Sequence, residues 1–450
     1  MEGNYMRDSK IIALVGLIAF TLGLAPSAMA VPSYARQTGL PCNGCHYTPP
    51  ELNPAGRLFK LMGYVDKSKD SDIIAAASNR HAGLDLLKAL PLSAWFEASL
   101  TRTNLPQPDT QNGTVEFPQD ISLFLAGAWA SHVGSFLQVT YDAQADNFSM
   151  DNTDIRAANR GTLGGKDWVY GLTLNNNPTV EDLWNSTPAW GFPFIADDLA
   201  PTPAASPIID GALGQDAAGL GAYTMWDNHL YVAGTLYRSD HLGSGQPING
   251  QDQSFNIRGV APYWRLAWQT VGRTNSLEVG TYGIHMKSTP GGITGPEDSY
   301  TDWAVDTQYD RVIGKDVLSL RGTYIRENAS LVASLDQESV AQSHHYLNSG
   351  NVNAEYHFGN RYSTAFGWFG VTGTPDPVLY APGSVSGSAN GDPKSNGYIT
   401  NFSVWPTQNV DLAIQYTGYT TFNGASNNYD GSGRNASDNN TLYLLTRFIF

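Results

Sequence analysis

From Leu92 onward the chain alternates apolar and polar residues at period two, in segments of about ten to fourteen residues separated by turn residues. Val410, Leu412, Ile414, Tyr416 and Gly418 share one face, while Asp411, Ala413, Gln415, Thr417 and Tyr419 share the other. Each segment therefore has an oily side and a wet side. Sixteen such candidate strands start near Leu92, Gln119, Val133, Asn152, Asp167, Ala217, His229, Gly259, Thr274, Tyr300, Lys315, Leu347, Arg361, Ser395, Asn409 and Asn440. Tight turns near Ser131, Asp227, Gly272, Ile313, Gly359 and Pro406, with a somewhat longer one at Gly161, interleave with mostly long polar connections, among them 176–216, 240–258, 328–346, 371–394 and 421–439. The connection Asn147–Asp151 is short for its side. An even strand count with this asymmetry predicts a mostly β fold, a 16-stranded antiparallel transmembrane β-barrel spanning residues 91–450, porin-like, with its long loops outside the cell.

Closure also explains how the chain does without disulfides, because a closed sheet in lipid leaves no unpaired backbone edge. Only two cysteines exist, both within Cys42-Asn43-Gly44-Cys45-His46. The last segment, Leu442 to Phe450, places Leu442, Leu444, Phe448 and Phe450 on one face and ends on an aromatic residue, so both ends of the barrel are expected on the periplasmic side. Trp129, Tyr141, Trp168, Trp226, Tyr237, Trp303 and Trp405 lie near strand ends and are expected in interfacial girdles. A net charge of −15 argues against nucleic acid as a partner and favours cations or basic proteins.

The first thirty residues read as an export signal: Arg7 and Lys10, then an apolar run from Ile11 to Leu24, then Ala28-Met29-Ala30. That run is shorter than the ~20 residues a membrane-spanning helix needs. Residues 1–30 are thus expected to be a signal peptide, the mature chain to begin at Val31, and the destination to be the outer membrane of a Gram-negative cell.

Within residues 31–90 the CNGCH stretch is the c-type haem signature. Cys42 and Cys45, three apart on one turn, can each form a thioether to a haem vinyl group, and His46 can present its imidazole to the iron. A zinc or redox pair is the plainer alternative, but zinc would need two more nearby ligands and the next histidine is His81. A second axial ligand is open between Met62, which could equally be packing, and His81, which could equally be a surface histidine. An open position or a barrel residue would otherwise take that place.

The stretches Val31–His46 and Pro50–Tyr64 resemble the fused monohaem cytochrome–porins that include outer-membrane iron oxidases. Such proteins often carry an aromatic residue where Pro49 and Pro50 stand, and a small or polar residue at the position of Met62. The resemblance implies one covalently attached haem c on a segment that plugs or caps a sixteen-strand porin. It further implies single electrons accepted from extracellular Fe(II) and passed to a periplasmic cytochrome or copper protein. Alternatives are a non-iron donor, outward electron export, and a passive diffusion porin whose plug is structural. Loop residues Asp197, Asp198, Asp240, Asp252, Glu297, Asp298, Asp336 and Glu338, with His344 and His345, could attract Fe(II) as hard ligands, and are more simply read as solvated loop charge.

Overall fold

The computed structural model describes residues 31–47, 51–66, 90–187, 194–214, 217–240, 255–290, 292 and 294–450. The expected signal peptide, His81 and Asp252 lie outside them. Among the described residues, seventeen strands form one antiparallel sheet. They are β1 (Leu92–Thr103), β2 (Thr114–Glu116), β3 (Asp120–Ala130), β4 (Val133–Asp142), β5 (Asn147–Leu163), β6 (Lys166–Asn175), β7 (Ala217–Trp226), β8 (Leu230–Ser239) and β9 (Ala261–Val271). The sheet continues through β10 (Asn275–Ser288), β11 (Asp298–Ile313), β12 (Asp316–Ser330), β13 (His344–Phe358), β14 (Tyr362–Gly373), β15 (Ser395–Thr407), β16 (Val410–Thr421) and β17 (Thr441–Ile449).

The sheet closes on itself. β1 pairs with β17 from Trp95↔Ile449 to Thr103↔Thr441, and on its other edge with β3 from Leu92↔Leu125 to Phe96↔Ile121. The short β2 pairs with β1 at Ser99–Thr101, above β3 and in the same column, so the seventeen strands make sixteen staves. No edge is left for another chain to pair with.

Alternation sorts the side chains as period two requires. On β9, Arg265 is 2% exposed and faces the lumen, while its neighbour Leu266 is 44% exposed on the outside. Leu123, Leu172, Leu220, Leu236, Val352 and Phe366 share that outer exposure. An apolar outer face around a closed barrel is the surface of a membrane-spanning barrel. Among the described residues no helix is long and apolar enough to cross a membrane.

Several expected boundaries move. Asn147–Asp151 is strand, and the connection is the tighter 143–146, where Asp142 Oδ1 accepts from the backbone amides of Gln144 and Ala145 and so stabilises a side-chain-capped turn. The turn expected at Gly161 lies at Gly164-Gly165, both with positive φ, as a two-residue hairpin loop requires. Pro406 belongs to β15, and the turn follows Thr407. Tyr237 and Trp405 leave the expected girdle: both are buried and face the lumen.

The lumen is filled from both ends. From the short-turn end, α1 (Pro32–Thr38) and α2 (Pro54–Leu61) pack against the inner wall. Tyr34 Oη donates to Ser135 O (2.7 Å), Tyr64 Oη to Asp154 Oδ2 (2.5 Å) and Tyr223 Oη to Leu61 O (2.7 Å). From the long-loop side, the connection after β6 folds inward through α3 (Pro178–Glu181). Glu181 accepts from Thr235, Tyr237 and Asn175, and Ile195 exchanges two 2.8 Å hydrogen bonds with Gln415 on the far wall.

Candidate functional site: an apolar cleft at the CNGCH turn

α1 ends at Gly39, whose positive φ lets its amide close back on Ala35 O, and the chain turns through Pro41 into a short 3-10 turn at Cys42–Gly44. Cys45 N and His46 N both donate to Cys42 O, at 3.0 and 2.9 Å. This winds the two cysteines and the histidine around a single turn, as their spacing predicts. Cys42 N reaches Gln408 in the β15–β16 turn (3.4 Å), which places the motif at the short-turn end of the barrel.

Asn53 holds the turn in place. Its amide donates to Cys45 O (2.9 Å), its Nδ2 to Asn43 O and Gly44 O (3.3 Å each), and its Oδ1 caps α2 by accepting from Gly56 N (3.0 Å). Gly56 is required by this close approach, because a Cβ there would run into the Cys45 carbonyl.

Cys42, Cys45 and His46 line one cleft with about 1230 Å³ of free space, part of it continuous with solvent. Its walls are mainly apolar and come from distant segments, including Tyr34, Phe59, Trp95, Phe136, Leu183 and Trp184. Tyr34 stacks on Tyr64 with ring centres 5.6 Å apart and meets Phe59 edge-on at 5.1 Å, so this wall is rigid aromatic packing. His46 Nδ1 lies 3.1 Å from Glu51 O. A carbonyl can only accept, so Nδ1 carries the proton and Nε2 is the basic nitrogen suited to a metal. Burial, then Cys42 and Asp66, push the Cys45 thiol up, which keeps it protonated at neutral pH.

Two cations also reach the cleft. Lys60 donates to Val180 O (2.5 Å) and Asp182 O (2.8 Å), and burial with the nearby Arg156 lowers its pKa to about 8. Arg321 enters from β12. A flat apolar macrocycle fits this set: two thiols and an imidazole on one turn, aromatic walls, and two cations among the lining residues.

Met62 does not line the cleft. It is buried with Leu61, Ala158, Leu183 and Trp184 in an apolar cluster against the wall, the packing role open to it from the sequence. Neither Met62 nor any histidine besides His46 is among the described residues lining the cleft.

Two of the loop residues weighed as cation ligands have structural work instead. Asp298 is buried and accepts from the amides of Ala333 and Ser334, and His345 pairs with Asp376 at 3.2 Å. Asp198 remains exposed and clusters with Asp120 and Asp142, their ligand oxygens within 4.8 Å of one another. Burial and the charges of Asp142, Glu116 and Asp197 raise the Asp198 pKa to about 6.

Glu51, Lys60, Trp184 and Arg321 are the functional-site residues that motif reading passed over. Glu51 and Lys60 lie inside the quoted stretch Pro50–Tyr64, whereas Trp184 and Arg321 come from distant parts of the chain. A second, more polar cavity adjoins the cleft on the side of the inward-folded loop, sharing Trp184, Asn185, Gln308 and Arg321 with it.

No family model and no curated protein matches the chain. Among solved structures it is similar to the outer membrane channel DcaP of Acinetobacter baumannii, with 11% identity over 80% of this chain and 96% of that chain, TM-score 0.47. It is similar to OmpF of Salmonella typhi in a complex with daunomycin, with 11% identity over 80% and 98%, TM-score 0.47. It is also similar to OprB of Pseudomonas putida, with 11% identity over 80% and 93%, TM-score 0.46.

Proposed function

We propose that this protein is an outer-membrane electron conduit, taking single electrons from extracellular Fe(II) and delivering them to a periplasmic cytochrome or copper protein. The observation that carries the reading is the convergence of Cys42, Cys45 and His46 on one apolar cleft inside the lumen of a closed barrel. A haem c bound there would supply a one-electron Fe(III)/Fe(II) couple.

The chain's own residues provide the rest. Cys42 and Cys45 offer the thioether attachments, and His46 Nε2 offers the axial nitrogen in the tautomer set by Glu51 O. Tyr34, Phe59 and Trp184 give the cleft apolar, aromatic walls. Lys60 and Arg321 line the cleft and add positive charge to its surroundings. The carboxylates of Asp120, Asp142 and Asp198 give the long-loop mouth a negative field that concentrates cations. The adjoining cavity brings that side of the lumen to within a side-chain wall of the cleft, so a donor need not pass through the barrel.

The test is stopped-flow mixing of the oxidised, detergent-solubilised protein with Fe(II) across a range of pH. The expected result is reduction of the haem absorbance bands. A haem-loaded protein that Fe(II) never reduces, while a small reductant does, removes iron as the donor.

A further inference from the structure

Glu51 is 3% exposed, and its two ends do different things. Its backbone carbonyl accepts from His46 Nδ1 (3.1 Å) and from Tyr47 N (3.3 Å), and the neighbouring Leu52 forms a β-bridge with His46. Its carboxylate points the other way, into the barrel wall. Oε1 is ion-paired to Arg321 on β12 and accepts from Gln308 on β11 (3.3 Å), while Oε2 lies 3.4 Å from His357 Nε2 on β13. Glu355 joins the same group, 3.4 Å from Arg321 and 3.6 Å from His357. Asp310 binds Gln308 (3.0 Å) and faces Arg57 at 3.8 Å, and Arg57 in turn holds Leu52 O (2.9 Å). Three neighbouring strands thus grip the residue that orients the histidine.

We propose that Glu51 is a positioning residue through which the barrel wall fixes His46 and sets the electrostatic environment of the iron. This rests on the haem reading above. With His357 counted as neutral, Glu51, Glu355 and Asp310 against Arg321 and Arg57 leave one uncompensated negative charge behind His46. A buried negative charge favours the ferric over the ferrous state and so lowers the midpoint potential. In surroundings of effective dielectric constant ~20, adding or removing one charge behind His46 is expected to change the ferric-to-ferrous ratio by on the order of tenfold.

Redox titration of the purified full-length haem protein, followed in the visible bands, tests this. Glu51→Gln removes a negative charge while keeping the backbone carbonyl, and is expected to raise the midpoint potential. Glu355→Gln, which leaves the CNGCH segment untouched, is expected to raise it less. Arg321→Gln is expected to lower it. Mere loosening of the site would move all three in one direction, so opposite signs for the glutamate and arginine variants are the signature. Unchanged potentials, or a common direction, overturn the proposal. If Glu51→Gln fails to fold, the Glu355 and Arg321 pair still decides it. A wild-type protein without haem absorbance would instead contradict the underlying haem reading, and the two failures are therefore distinguishable.

Discussion

The barrel wall and the segment it encloses obey different rules. Along the wall, period two decides everything: Arg265 and Leu266 are adjacent in sequence, yet one sits among buried carboxylates and aromatic rings and the other faces outward. In the enclosed segment no periodicity holds for more than two helical turns, and single residues such as Asn53, Gly56 and Glu51 determine the shape. The difference teaches where to look for chemistry. The wall is a repetitive scaffold that tolerates exchange of one apolar residue for another on its outer face, whereas the plug is a small irregular structure whose geometry is borrowed from the wall.

Replacing both Cys42 and Cys45 with Ser should abolish haem attachment and all redox activity. The barrel should still form, because neither residue belongs to a strand of the closed sheet. Heat-modifiable migration on electrophoresis together with haem staining checks this, and a variant that loses the barrel would show the plug to be a folding requirement.

On the wall, Arg265→Met should destabilise by about 3–5 kcal/mol, because it strands Asp182, Glu278 and Asp306, which lie 3.5, 3.2 and 2.6 Å from the guanidinium. Thermal or denaturant unfolding in detergent reads this loss. One residue along, Leu266→Arg should cost roughly 2–4 kcal/mol in lipid through burial of a charge in the apolar belt. That penalty should shrink if the strand centre does not face the bilayer, so comparison of vesicles with solution refolding tests the outer face directly. In the plug, Asn53→Ala should cost only about 1 kcal/mol of stability, as the loss of a helix cap does, while widening the haem bands by freeing the turn. An equal effect on wall and plug would mean that the two regions are not separable in this way.

The wall was legible because alternation survives even where individual residues do not conform. Parity outranks residue identity. Aromatic character alone points Trp405 and Tyr237 to the girdles, but Trp405 shares its face with Ser403 and Asn401, and Tyr237 with Thr235, all inward. The polar run Asn147–Asp151 looked like a loop, yet Phe148 pairs with Tyr141 and continues the strand. In the site, the CNGCH spacing announced itself, since its chemistry is local. The walls of the cleft could not be foreseen, because Trp95, Phe136, Trp184 and Arg321 come together only once the barrel closes. Even Met62 illustrates this: its destination among Leu61, Leu183 and Trp184 depends on a loop more than a hundred residues away.

The central claim is a covalent haem inside a closed barrel. Intact-mass spectrometry of the protein exported from a host competent in c-type haem maturation tests it most directly. One haem per chain is expected, retained after denaturation and lost when Cys42 and Cys45 are replaced. A mature chain of unmodified mass from the same host would contradict it.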